Sequence, residues 1–97
     1  MSFKVNIAVQ IVPMTDKDTA YKIIDEAIAV VRRSGIRFRV CPFETVLEGD
    51  YEQLMQIVDE MQEVSQRAGA REFLVNLKIH RAADRDVTME EKTEKYT

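Results

Sequence analysis

Apolar and polar residues alternate from Phe3 to Val12: Phe3, Val5, Ile7, Val9 and Ile11 fall on one side, and Lys4, Asn6, Ala8 and Gln10 on the other. A period of two predicts a half-buried strand, and Pro13, which cannot donate to a ladder, ends it. The period then changes. Tyr21, Ile24, Ala27, Ile28 and Val31 recur at spacings of three and four, with Ile23 and Val30 widening the stripe, which predicts a helix over 17–34. Thr15 or Asp16 can cap its start, and Gly35 can end it in the left-handed region. Alternation returns over 36–43, where Ile36, Phe38 and Val40 oppose Arg37, Arg39 and Cys41, and again over 44–49, where Thr45 and Leu47 oppose Glu44, Val46 and Glu48. The link between these strands is too short for a crossover, so they form a hairpin.

A second helix is predicted from Asp50 to about residue 68. Asp50 is its cap, Gln53 stands three positions on, and Leu54, Ile57, Val58, Met61 and Val64 make the stripe. A fourth strand spans 71–81, with Phe73, Val75, Leu77 and Ile79 on its apolar face and Glu72, Leu74, Asn76, Lys78 and His80 on the other. The stretch 82–97 reads as a polar tail; Thr88 with Glu91 has the capping-box spacing and predicts a short helix near 88–95. Its only apolar candidates for an anchor are Val87, Met89 and Tyr96.

The order is βαββαβ, followed by the tail. Two amphipathic helices cover one face of a four-stranded sheet, and right-handed crossovers make this a ferredoxin-like α+β sandwich, antiparallel, in strand order 4-1-3-2. One domain spans 1–97. The covered face carries Val5, Ile7, Val9, Phe38, Leu47, Val75 and Leu77. The other face is left open. It carries Asn6, Ala8, Gln10, Arg37, Arg39, Cys41, Glu44, Val46, Glu48, Leu74, Asn76, Lys78 and His80, and it either meets water, packs on a second copy or clasps a small polar ligand.

Composition narrows the function. With 97 residues, 45% of them hydrophobic and 32% charged, the chain is neither a disordered tail nor a membrane span. Its net charge of -3 disfavours nucleic-acid binding through bulk charge, and the open-face positions of strands one and three lack the aromatics that stack on bases. A single cysteine excludes an internal disulfide, and no signal-peptide pattern opens the sequence. A cytoplasmic location is the expectation. Catalysis is poorly served. His80 and Cys41 fall on opposite edge strands, ~14 Å apart at ~4.8 Å per strand step. His80 with Asp84 and Asp86 reads as a polar loop rather than a metal site. No catalytic residue, metal or cofactor is expected.

Four stretches together resemble a known family: VQIVP, SGIRFRVCPFETVLEGD leading into a helix, LVNLKIHR, and TMEEK. It is the thiamine-binding-protein-like family of small proteins, the UPF0045 or DUF77 group. The resemblance covers roughly residues 4–96. Its most specific part is Pro42, Thr45, Glu48 and Gly49, placed after a hairpin and before helix two. It implies a ferredoxin-like protein that assembles into homodimers and homotetramers through sheet surfaces, and that binds thiamine or its hydroxymethylpyrimidine part. Thiamine pairs a cationic thiazolium with an aminopyrimidine, so its site needs a carboxylate, amides and apolar area. Glu48 is the candidate carboxylate, or else a strand-end acid near helix two. Thr45 is either a donor to a ring nitrogen or a β-former at a hairpin corner. Asn6, Gln10 and Asn76 either bind the pyrimidine or bridge subunits. Arg37 and Arg39 would repel a cation. They suit an anion, or pairing with Glu44 and Glu48 across a subunit contact.

Overall fold

Four segments pair into one antiparallel sheet in the order β2-β3-β1-β4: β1 (Val5–Pro13), β2 (Arg37–Val40), β3 (Thr45–Gly49) and β4 (Phe73–His80). This is the predicted order. The computed structural model describes residues 3–97; Met1 and Ser2, with which the predicted 1–97 domain begins, lie outside the described residues. Helices α1 (Lys17–Ser34) and α2 (Tyr51–Arg67) provide the two crossovers, and α3 (Met89–Thr93) runs on into a 3-10 turn at Glu94–Tyr96. No helix among the described residues is long and apolar enough to cross a membrane.

Local signals account for the boundaries. The Asp16 side chain accepts from the Thr19 backbone N–H at 3.0 Å, and the Asp50 side chain accepts from that of Gln53 at 3.2 Å, so each helix starts on its predicted cap. In α3 both bonds of the capping box are made by Thr88 and Glu91. Gly35 ends α1 at φ 79, with open space where a Cβ would stand. Gly35→Ala is therefore expected to cost ~1 kcal/mol by backbone strain alone. Urea unfolding of Gly35→Ala and Gly35→Asn checks this, because Asn tolerates the left-handed region and should cost less. The hairpin closes with the Cys41 N–H donating to the Glu44 carbonyl at 2.8 Å, so β2 stops at Val40 rather than running to residue 43.

The core lies between the sheet and the two long helices. Ile7, Leu47, Ile23, Val31, Leu54 and Val58 are each almost wholly buried there. Two predicted placements change. Tyr21 is 61% exposed, because the buried stripe of α1 centres on Ile23, Ala27, Val30 and Val31. Leu77 is also 37% exposed although it shares the helix-side face with Val9, its register partner. The helices rest on central strands β1 and β3, and the far half of edge strand β4 extends past their cover. The ladder of β1 begins at Val5 rather than Phe3 because the Lys4 backbone is engaged elsewhere. Its N–H donates to the Asp86 carboxylate at 2.8 Å, and its carbonyl accepts from Val87 at 3.0 Å.

Candidate functional site

Register aligns the open-face residues in rows across the sheet. Arg37 stands opposite Glu48, Glu48 opposite Asn6, and Asn6 opposite His80. The next row runs Arg39, Val46, Ala8, Lys78. Beyond it, Gln10 faces Asn76, and the Asn76 amide donates to the Gln10 side-chain oxygen at 3.0 Å.

The tail covers the middle of the first row, Glu48 and Asn6, and leaves Arg37 and His80 at its two ends exposed. Val87 and Met89 are buried, at 0% and 6% exposure, in a segment otherwise polar. Under them, Asn6 and Glu48 are buried as well, and their polar atoms are spent on holding the tail. The Glu48 carboxylate accepts from the backbone N–H of Met89 at 2.5 Å and from the Asn6 amide at 3.2 Å. Met89 is the first residue of α3, so this carboxylate serves a helix N-terminus, that of α3 rather than α2. The Asn6 amide also donates to the Val87 carbonyl at 3.3 Å, while its oxygen accepts from the Lys92 ammonium at 3.0 Å. Arg37 lies 2.7 Å from Glu90 and 3.8 Å from Glu48. No buried side-chain polar atom among the described residues lacks a partner, so this cluster is closed by the protein itself.

Glu91 adds an acid-sensitive latch. Its carboxylate accepts from the Thr88 N–H at 2.9 Å and from Arg85 at 3.0 Å. The Thr88 bond chiefly, with help from Arg85, holds the carboxyl below its ordinary range. A depressed carboxyl stabilises the fold above its unfolded value of ~4.3 and loses that contribution as pH falls through the folded value. The α3 amides are accordingly expected to lose protection in acid before those of β1. Hydrogen exchange at pH 6 and pH 3 compares them; unchanged protection at both sites would remove the latch.

Because the tail stops at the first row, it leaves an open hollow of about 330 Å³ over the second. Ala8 and Val46 form the floor, Met89, Lys92 and Thr93 one wall, and Cys41 and Glu44 the opposite side, with Arg39, Lys78 and His80 at the rims. Lys78 is 3.2 Å from Glu44. Such a concavity, apolar beneath and polar around, suits a small ring compound with hydrogen-bonding edges. Among the described residues no group of three or more His, Cys, Asp or Glu side chains could hold a metal ion.

The five residues singled out from the sequence divide. Asn6 lines the hollow, and Glu48 stands behind it, supporting Asn6 and Met89. Gln10 and Asn76, paired to each other, border a second open hollow of about 600 Å³ beside it. Thr45 is buried on the helix-side face with Leu47, away from the other four. Arg39, Lys78, Met89 and Lys92 were not among the five. The signal that could have marked the tail is the pair Val87 and Met89 flanking the Thr88 cap: two apolar residues with no partner in their own short helix must bury against something else.

Comparison with known proteins bears on the same face. The family model described as thiamine-binding protein matches residues 7–97. A UPF0045 protein of Clostridium perfringens is 34% identical over 91 residues, covering 94% of this chain and 95% of that one. Among solved structures, a domain of unknown function DUF77 from Bacillus cereus superposes with TM-score 0.94 at 37% identity, over 100% of this chain and 93% of that one. A structure from Thermotoga maritima, described as a thiamine biosynthesis/salvage protein by inference, does so with TM-score 0.90 at 31% identity, over 97% and 99%. The ferredoxin-like sandwich is thus common to this chain and its solved relatives, and the match runs through both the open sheet face and the tail that partly covers it: the chain belongs to the thiamine-binding protein family, the UPF0045 or DUF77 group.

Proposed function

We propose that the protein is a non-enzymatic, cytoplasmic binding protein that holds thiamine or a related pyrimidine in the open-face hollow. The observation that supports this most is the hollow itself, floored by Ala8 and Val46 and edged by amide, ammonium and guanidinium groups, in a chain of the thiamine-binding protein family. The ring rests on the two small apolar side chains, and Asn6, fixed by Glu48 and Lys92, presents its edge to the wall. No chemical step belongs to this reading. Cys41, just after edge strand β2, and His80, at the end of edge strand β4, both line the hollow, and this reading gives neither a chemical role.

Calorimetry at ~100 μM protein with thiamine, its phosphates and hydroxymethylpyrimidine tests the reading. A bound ligand at ~100 Kd should add ~2.7 kcal/mol to stability. Ala8→Phe, which fills the floor, is expected to abolish the heat while leaving the fold intact. No heat and no thermal shift with any of these compounds would reject the proposal.

Self-association belongs to the same reading. Leu74, Leu77 and Ile79 of edge strand β4 are 55%, 37% and 45% exposed, and an edge strand with apolar side chains is a pairing surface. A homodimer, and through it a homotetramer, is the expected assembly. Light scattering across a dilution series checks it, with a monomer at all concentrations as the contrary result.

A further inference from the structure

The charges around the hollow point to the kind of heterocycle it takes. Its lining carries three formal positive charges, Arg39, Lys78 and Lys92, and one negative, Glu44, in a chain whose net charge is -3. Lys78 is neutralised by Glu44 at 3.2 Å. Among the described residues, Lys92 is satisfied by a neutral amide oxygen alone, that of Asn6 at 3.0 Å. The Arg39 guanidinium has no hydrogen-bond or ion-pair partner among the described residues. Glu48, in the neighbouring row, lies outside the lining and is committed to the Met89 N–H and the Asn6 amide.

A concave site edged by surplus positive charge focuses its field on whatever enters. It favours an anionic ligand over one whose only charge is a cation. An unpaired guanidinium offers a planar fork of donors matched to phosphate oxygens, whereas the floor of Ala8 and Val46 offers no polar atom beyond the strand backbone.

We propose that the hollow takes a phosphate monoester of a small aromatic heterocycle, with the ring on Ala8 and Val46, the phosphate gripped by Arg39, and Lys92 adding a second positive charge. This rests on the reading of the hollow as a heterocycle site and specifies it. A phosphate monoester carries close to two negative charges at neutral pH, so the ester gains where the free alcohol gains nothing.

Titration calorimetry of the full chain separates the two readings. The probes are hydroxymethylpyrimidine, its monophosphate, thiamine, thiamine monophosphate and inorganic phosphate, each against wild type and Arg39→Gln. Each ester is expected to bind at least about tenfold more tightly than its parent alcohol, and inorganic phosphate more weakly than either ester. In Arg39→Gln the ester-to-alcohol ratio should fall below about threefold. The Arg39 side chain has no partner to lose among the described residues, so its replacement should leave the unfolding midpoint near that of wild type. Equal binding of ester and alcohol by wild type overturns the phosphate inference and leaves the heterocycle reading standing. Inorganic phosphate binding as tightly as the esters also overturns it, because the ring then contributes nothing. Absence of binding by all five probes removes both readings.

Discussion

Glu48→Ala is expected to lower stability by ~2–4 kcal/mol and to release the tail from the sheet. The side chain is 4% exposed and its carboxylate takes two hydrogen bonds, from the Met89 N–H and the Asn6 amide. Leaving a buried donor without a partner costs ~1–3 kcal/mol; here the Met89 N–H loses its acceptor, and the Asn6 amide loses one of two, keeping the Val87 carbonyl. The ion pair with Arg37 adds little, since it is 3.8 Å long and the Arg37 side chain is half exposed. Glu48→Gln keeps an oxygen for Met89 but sets an amide against the Asn6 amide, so ~1–2 kcal/mol is expected. Urea unfolding gives the stabilities, and hydrogen exchange at Val87, Met89 and the α3 amides reports the tail. An alanine variant within ~0.5 kcal/mol of wild type, with the tail still protected, would show that the carboxylate holds nothing. Ligand binding should weaken along with the tail, because Met89, Lys92 and Thr93 wall the hollow. Glu48 in this account is a positioning residue. It touches the wall and not the ring.

Ile7→Ala should cost ~3–4 kcal/mol, in the upper part of the ~2–5 kcal/mol range for such truncations. Ile7 is 0% exposed in the central strand, with Leu47 and Ile79 as its register partners. Ladders on both sides hold the backbone of β1 in place, so the void left by the side chain closes only partly. A domain of this size has ~5–15 kcal/mol of stability in all and loses ~4–8 °C of melting temperature per kcal/mol, so a fall of more than about 12 °C is expected. Ile79→Ala is the matched control. Ile79 stands beside Ile7 on the same face but is 45% exposed, and its truncation should cost under ~1 kcal/mol in an isolated protomer. A larger loss that grows with protein concentration would place Ile79 at a contact between copies. A small effect at Ile7 would mean that the core is not centred on β1.

How much of this was legible without coordinates differs from element to element. The strand at 5–13 announces itself because a chain buried on one side must alternate. The caps at Asp16, Asp50 and Thr88 are readable because each satisfies backbone N–H groups only three positions away. Helix faces were read to within a partial turn. The apolar spacing puts Tyr21 inward, although the packing of α1 turns it out. The amphipathic pattern marks a stripe's width better than its centre. Alternation likewise puts Leu77 under the helices, since it tells which side of the sheet a residue takes and cannot tell where the helices stop.

Residue order alone therefore determined the elements, their caps, the strand order and which side chains share each face, because those follow from local backbone periodicity and from how two helices must cover one side of a sheet. Only the tertiary structure decided that the tail folds back across the open face, that Asn6 and Glu48 are buried beneath it, and that a positively charged hollow survives beside it. Those outcomes depend on partners 41 to 86 positions apart along the chain, Glu48 with Met89 and Asn6 with Lys92, and contacts at that range leave no periodic trace in the sequence between them.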